Sequence, residues 1–171
     1  MKSTLTILAS FILLSFTAKN INEYLSVEGP LEFNDTKFSL KWSDKPNKNY
    51  YIQEYIPKGE NTDSFNQMLT IHLFDLDIEL QDAVKSKIKE LIKRKETDAV
   101  CNYQITESPD GKEIMIDFLL SESKDGKTQI IEFNIYHYRK IQLNKSKNGI
   151  AVYAYSKRSY GNQISEFLKN L

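Results

Sequence analysis

The sequence predicts a single α+β domain in which a long helix and a C-terminal helix pack on a mostly antiparallel sheet of six or seven strands, an α/β/α sandwich. Three observations predict this fold. Short runs of alternating apolar and polar residues recur along the chain, as in half-buried strands. One segment repeats its apolar residues every three or four positions, which indicates a helix. Beyond that helix, short Asp-Gly and Asn-Gly turns separate the runs, and such turns join antiparallel neighbours.

The first 18 residues predict a signal peptide. Lys2 precedes an apolar run at 5–16, which is shorter than the roughly 20 residues needed to span a bilayer. Cleavage is expected after Ala18, with an uncleaved N-terminal anchor as the alternative. Residues 19–35 are a polar lead-in, and residues 36–171 form the single domain. The protein is therefore expected to be exported, to the periplasm or outside the cell.

Three strands are predicted before the long helix, at FSLKW (38–42), YYIQEYI (50–56) and MLTIHLF (68–74). The second and third are separated by a segment that starts PKGEN. Pro presets one backbone dihedral, Gly allows positive φ and Asn can bond its own backbone, so all three favour turns. The segment is therefore interpreted as a connector rather than a ligand loop. Phe65 within it is expected to fold back onto the core.

The long helix is predicted over residues 79–95. Acidic residues at 75, 77 and 79 crowd its start and the basic run 93–95 crowds its end, which suits the helix dipole at both ends. Its apolar stripe is predicted to contain Leu80, Ala83, Val84, Ile88, Leu91 and Ile92.

Four more strands are predicted at 99–106, 113–121, 129–142 and 149–156, followed by a closing helix at 162–171 with Asn162 as its N-cap. All six glycines fall in predicted turns or connectors. No glycine is therefore left for a nucleotide-binding fingerprint, and no catalytic or metal-binding motif is present. The sequence predicts no cofactor and no metal site.

The segment QEYIPKGENTDSFNQMLTIHLFD, followed by an amphipathic helix and a strand meander, resembles the PsbP and Mog1-like fold group. The resemblance implies an antiparallel sheet between helices and a bias toward non-enzymatic binding and assembly factors. It assigns no site residue. Nothing in the chain identifies a photosystem or a small GTPase as its partner.

Charge and cysteine content narrow the function classes. Lys plus Arg and Asp plus Glu both number 23, so no strong net field attracts nucleic acid or an anionic membrane. We expect no nucleic-acid partner and no strong membrane association after signal cleavage. The single cysteine, Cys101, excludes an internal disulfide and is expected to be a small buried residue.

Tyrosines on the last two strands are the candidate binding residues. Ile131, Phe133 and Ile135 share one face, and Ile150 and Val152 can pair with them. The tyrosines lie on the opposite face of each strand. If the hairpin register brings these two faces together, the tyrosines form one patch, which would either bind a partner or be covered by the last helix. The expected partner is an envelope or secreted protein or a small ligand. The candidate residues are Asn134, Tyr136, Tyr138, Arg139, Tyr153 and Tyr155.

The predicted function is that of an exported, non-enzymatic binding or accessory protein. The alternative is a secreted hydrolase in which His72 or His137 acts with a nearby carboxylate such as Glu54 or Asp117. Both histidines lie inside predicted strands, where a packed or solvated role is more common. No catalytic residue is assigned.

Overall fold

Eight antiparallel strands and two helices form the domain. A computed structural model describes residues 21–27 and 29–171, so the signal peptide predicted at 1–18 lies outside the described residues. The sheet has the order β1-β2-β3-β4-β8-β7-β6-β5 and curls into a half-barrel. The predicted single-domain, mostly antiparallel α+β fold is confirmed, with one strand more than the upper prediction. The strands are β1 Leu31–Phe33, β2 Thr36–Asn47, β3 Tyr50–Pro57, β4 Gln67–Phe74, β5 Asn102–Glu107, β6 Glu113–Lys124, β7 Lys127–Asn144 and β8 Lys147–Tyr160.

The additional strand, β1, lies in the polar lead-in. It pairs with β2 across a tight turn in which Asn34 and Asp35 both adopt positive φ, 47° and 57°. Leu25 and Val27, upstream of β1, pack on a cluster that contains Phe38. The lead-in therefore adds a strand and apolar contacts to the domain.

Strand β2 extends beyond residue 42, where the sequence predicted its end. Ser43 and Asp44 pair with β3, and the pairing becomes irregular between Asp44 and Asn47. Pro46 lies within that irregular stretch and has no N–H to donate to a ladder. The strand thus runs up to the proline before its regular pairing ends.

The long helix, α1, spans Leu80–Lys95, within one residue of its prediction. Leu80, Val84 and Leu91 are buried. Ile92 is 52% exposed, so its predicted place in the apolar stripe is wrong. Lys87 occupies a position on the buried side of the helix instead, and its side chain is only 15% exposed.

The acidic residues before α1 form ion pairs with the β7–β8 hairpin. Asp77 and Glu79 lie 3.5 and 3.6 Å from Lys140 Nζ, and Asp75 lies 2.6 Å from Lys147 Nζ. None of the three falls in the first turn of α1, where the acidic residue is Asp82. These ion pairs hold the N-terminus of α1 against the β7–β8 hairpin.

Strands β7 and β8 form a long hairpin whose turn lies at residues 145–146 rather than at Asn148-Gly149. Gly149 lies inside β8, and a Cβ there would be 2.7 Å from the carbonyl oxygen of Phe74. The expectation that every glycine lies in a turn or connector is therefore wrong at Gly149, where the backbone of β4 approaches too closely for a side chain.

The closing helix is shorter than predicted. A 3-10 turn at Gly161–Gln163 precedes α2, Ile164–Lys169. Asn162 lies within that turn and does not cap α2, so the predicted N-cap is wrong. Among the described residues, no helix is long and apolar enough to cross a membrane.

The register defines two faces of the sheet, because directly paired residues point to the same side. The first face carries the even-numbered positions of β3, β4, β6, β7 and β8. Helix α1 packs on this face over Ile116, Phe118 and Val152. The N-terminal segment packs on the second face, over Phe38 and Tyr55. Phe65 is buried with Ile56 and Met68, which confirms that the connector folds back onto the core.

Candidate functional site

A cleft opens between α1 and the first face of the sheet. Its volume is about 360 Å³. Ala83 and Ser86 line it from the helix, and their short side chains leave the space above the sheet unfilled. We call it the aromatic cleft, because its floor is formed by Tyr50, His72, Phe74, Tyr136 and Tyr138.

Three rings in the floor of the aromatic cleft stack in a row. Tyr50 pairs with Phe74 across β3 and β4, and their rings stack with centroids 4.9 Å apart and an 8° angle between planes. The His72 ring continues the row, 6.0 Å from Tyr50 and at 10° to it. Tyr136 lies beyond His72, with centroids 5.8 Å apart and planes tilted by 33°. Nearly parallel rings with centroids 4.9 Å apart are stacked face to face, so a planar ligand group would pack against the side of this row.

His72 is a neutral, incompletely paired group in this floor. Its Nδ1 lies 2.8 Å from the Tyr50 hydroxyl, while its Nε2 is buried without a hydrogen-bond partner among the described residues. Burial, with the nearby charge of Lys87, lowers the pKa of His72 to about 4. A buried polar atom left unpaired costs roughly 1–3 kcal/mol. A ligand group that paired with Nε2 would remove that cost.

Lys87 places a cation beside the aromatic floor. Its Nζ lies 3.0 Å from Glu90 Oε1 and 5.0 and 4.9 Å from the ring centroids of Tyr136 and Phe118. Ring faces and a carboxylate both stabilise an ammonium in such positions. The charge of Lys87 is therefore already compensated within the protein.

A second space of about 290 Å³ adjoins the aromatic cleft. His72 and Tyr136 line both spaces and so form the boundary between them. We call the second space the acidic recess, because its lining includes Glu54 and Glu132. The other polar side chains lining it are Thr62, Thr70, Ser156 and Arg158.

The polar groups at one side of the acidic recess satisfy each other. Arg158 Nε donates to Glu132, and the guanidinium lies 4.0 Å from the ring centroid of Phe65. Asn134 Nδ2 donates to Glu132 Oε1 at 3.0 Å, and Ser156 Oγ donates to Asn134 Oδ1 at 2.6 Å. This network fixes Arg158 and Glu132 as a pair.

Glu54 stands apart from that network. Its carboxylate has no ion pair or side-chain hydrogen bond within the part of the chain that the structure describes, although it lines the recess. Burial raises the pKa of Glu54, and the charge of Arg158 opposes the rise. The recess therefore contains one carboxylate that is free to accept a donor.

The six sequence-predicted site residues do not form one patch. Tyr136 pairs with Ala154, whereas His137 pairs with Tyr153, so Tyr136 and Tyr153 point to opposite faces. Asn134, Tyr136 and Tyr138 lie on the first face, and Arg139, Tyr153 and Tyr155 lie on the second. The single patch of four tyrosines is wrong.

A bulge next to the hairpin turn causes the split. Asn144 pairs with Lys147, and continuing that register would match even with odd positions, as the sequence interpretation assumed. The irregularity between Gln142 and Asn144 shifts the register by one residue. A shift of one residue turns every side chain to the other face.

The three first-face residues are enclosed. Tyr136 and Tyr138 line the aromatic cleft under α1, where burial raises the pKa of both hydroxyls. Asn134 is buried and belongs to the Glu132 network. These three residues therefore do not form an exposed binding face. The two tyrosines instead contribute to an enclosed space.

The three second-face residues lie in different surroundings. The Tyr155 hydroxyl donates to Gln67 Oε1 at 2.8 Å, and its ring packs on Phe33 at a centroid distance of 4.8 Å. Tyr153 is 49% exposed. Arg139 Nε lies 3.3 Å from Glu113 Oε1. Of these three residues, Tyr153 and Arg139 are exposed and Tyr155 is half-buried.

The histidines differ in their carboxylate partners. His137 Nε2 lies 2.9 Å from Glu113 Oε2, whereas His72 bonds to Tyr50. Among the described residues, no serine, threonine or cysteine side chain hydrogen-bonds to either ring.

Cys101 is buried, as expected, and its thiol donates to the Leu91 carbonyl at 3.6 Å. No group of three or more potential metal-ligating side chains occurs in the described chain.

A family model matches residues 25–171. The chain belongs to this family. The matched region starts in the N-terminal segment that packs on the second face and contains all eight strands, the aromatic cleft and the acidic recess. The comparisons with curated proteins and with solved structures returned no match.

The sequence interpretation missed Tyr50, Phe74 and Lys87 as parts of the cleft. One sequence pattern could have indicated Lys87. Lys87 follows Leu80 by seven residues and precedes Leu91 by four, which places a charge on the apolar stripe of α1. A charged residue in such a position requires a special environment, and the aromatic cleft supplies one.

Proposed function

We propose that the protein is an exported, non-enzymatic binding or accessory protein that holds a small ligand in the aromatic cleft. The observation that carries the proposal is the unpaired, buried Nε2 of His72 in the floor of this aromatic-lined space of about 360 Å³. Mostly apolar pockets of roughly 300–1,000 Å³ with a few convergent polar groups are typical small-molecule sites.

The ionisation of the cleft favours binding over catalysis. With its pKa lowered to about 4, His72 is a weak base at neutral pH. Burial raises the pKa of Tyr136 and Tyr138, so neither hydroxyl ionises readily. These groups suit hydrogen bonding to a ligand better than proton transfer.

The location and partner classes are part of the same proposal. The apolar run at 5–16 after Lys2 supports export to the periplasm or the cell exterior. An envelope or secreted protein is the other partner class that we propose. Equal numbers of acidic and basic residues support the absence of a nucleic-acid partner and of strong membrane association after signal cleavage. The element order supports the α/β/α sandwich and the likeness to the PsbP and Mog1-like fold group.

The test is retention of a compound from the source cells. Residues 19–171 are incubated with a small-molecule extract, ultrafiltered, and the retained compounds identified by mass spectrometry. Ser86→Phe places a ring at the cleft, and Gln81→Phe, on the same helix but outside the cleft, is the matched control. We expect a compound retained by the wild type and by Gln81→Phe but lost with Ser86→Phe, with all three melting alike. Retention of nothing, or equal retention by both variants, contradicts the proposal.

The secreted hydrolase remains the second candidate, because His137 Nε2 and Glu113 Oε2 are 2.9 Å apart. A His–carboxylate pair of this kind can activate a nucleophile. The candidate predicts turnover of an ester, amide or glycoside substrate that His137→Gln abolishes. Absence of turnover by the wild type across panels of these substrates would retire it.

A further inference from the structure

The charges around the two adjoining spaces favour a cationic ligand. Four carboxylates line them, and two cations, Lys87 and Arg158, oppose these charges. Both cations already have carboxylate partners, Glu90 and Glu132. An anionic ligand would have to displace one of these partners, whereas a cation meets an excess of negative charge. The lining carboxylates are Glu54, Asp82, Glu90 and Glu132.

Glu54 is the carboxylate best placed to receive that cation. Asp82 forms an ion pair with Lys85 at 3.2 Å, so Glu54 is the one lining carboxylate without an ion pair in the described chain. Burial already disfavours its charged form. A bound ammonium would supply the opposite charge that favours it.

The aromatic floor and Glu54 lie along the same line of the sheet. Tyr50, Ile52 and Glu54 occupy successive first-face positions of β3, opposite Phe74, His72 and Thr70 of β4. At about 3.4 Å per residue, the Cα atoms of Tyr50 and Glu54 are roughly 14 Å apart. That span exceeds the reach of a few bonds, but His72 lies opposite Ile52, one first-face position or roughly 7 Å from Glu54, so a ring packed at His72 and a charged group a few bonds away can engage both.

We infer that the ligand is an arylalkylamine, whose ring packs beside His72 in the aromatic cleft and whose cationic nitrogen pairs with Glu54. This inference rests on the proposed binding function. It names two recognition elements that act separately, since the aromatic row accepts any flat ring and the carboxylate selects the charge. A neutral or anionic molecule of the same shape satisfies only the first element.

Three probes that share an indole ring separate the two elements. Tryptamine carries an ammonium, indole-3-propionate a carboxylate, and 3-methylindole no charge. Isothermal titration at pH 7 and low salt measures each Kd. We expect tryptamine to bind about tenfold more tightly than indole-3-propionate, the order of one charge-assisted hydrogen bond. Glu54→Gln should reduce this preference to about threefold or less, because the amide keeps the shape but loses the charge.

Two further variants locate the binding. Glu107→Gln makes the same charge change on the exposed edge strand β5 and should leave the tryptamine preference unchanged. Ser86→Phe should weaken all three probes. If the probes bind equally to the wild type and are all lost with Ser86→Phe, the cleft binds ligands but the amine assignment is overturned.

The remaining outcomes also decide the inference. Tryptamine binding that survives both Glu54→Gln and Ser86→Phe places the amine elsewhere and overturns it. Failure of tryptamine to bind at millimolar concentration overturns the arylalkylamine class, while retention of a natural compound by the wild type and not by Ser86→Phe would still support the cleft as a binding site.

Discussion

Asp98 connects the end of α1 to strand β6, and its removal should destabilise the domain strongly. The side chain is buried and accepts four hydrogen bonds. Ser121 donates from its backbone N–H and its Oγ, both at 2.7 Å, while Val100 N donates at 3.1 Å and Arg94 Nε at 3.2 Å. Burial alone would raise the pKa of Asp98, but these hydrogen bonds outweigh it and lower the pKa.

The expected cost of Asp98→Ala is about 3–5 kcal/mol. Ser121 would keep a buried N–H and a buried hydroxyl without their acceptor, and each such loss costs about 1–3 kcal/mol. Removing one partner of a buried charged network typically costs about the same total. Asp98→Asn keeps one acceptor oxygen and should cost less than Asp98→Ala. Asp110→Ala is the matched control, since Asp110 accepts from Ser108 and Lys112 in an exposed turn, and its unfolding midpoint should stay close to that of the wild type.

Urea unfolding followed by the fluorescence of Trp42 and by circular dichroism at pH 7 measures these differences. Because the pKa of Asp98 is lowered, its contribution is present above the ordinary value of 3.8 and is lost as the pH falls through the folded value. The difference in stability between the wild type and Asp98→Ala should therefore narrow below that value. A loss under about 1 kcal/mol at pH 7 would refute the reasoning.

Three further predictions follow from single positions. Gly149→Ala should cost about 1–3 kcal/mol, since its Cβ would lie 2.7 Å from the Phe74 carbonyl oxygen, and a thermal melt equal to wild type would contradict this close approach. The pKa of His72 is lowered from 6.5 to about 4, so the unfolded chain binds its proton first and stability should fall by about 3 kcal/mol between pH 7 and pH 4. His72→Phe should reduce this pH dependence, and an NMR pKa of His72 near 6.5 would refute it. Signal cleavage after Ala18 predicts an exported product of residues 19–171, and intact-mass measurement distinguishes it from an uncleaved anchor.

The sequence predicted helices and strands well where an apolar pattern continued over many residues. The stripe from Leu80 to Leu91 placed α1 within one residue, because burial of one helical face leaves a clear pattern. Strand β1 was missed because three residues between polar neighbours carry no such pattern. The hairpin turn was assigned to Asn148-Gly149 because that pair is a strong turn former, although Gly149 is needed for contact with β4.

The site could not be derived from the sequence because it depends on register. The alternation along β7 and β8 was interpreted correctly within each strand, but one bulge between Gln142 and Asn144 decides which faces combine. A bulge is set by pairing across the hairpin, which no local pattern fixes. The same shift brings Tyr136 to the face of β3 and β4, beside His72, and removes Tyr153 from it.

The distribution of unsatisfied polar groups is itself an argument for where the protein acts. Asp98 and Asn134 are both buried, and each has hydrogen-bond partners. Two side-chain atoms in the described chain are buried without a hydrogen bond, His72 Nε2 and Asp75 Oδ1, and the second lies 2.6 Å from Lys147 Nζ. His72 is thus left without compensation, and it lines the same space as the unpaired carboxylate of Glu54. A sequence that satisfies its other buried groups tolerates such a local cost where a ligand supplies the missing partners.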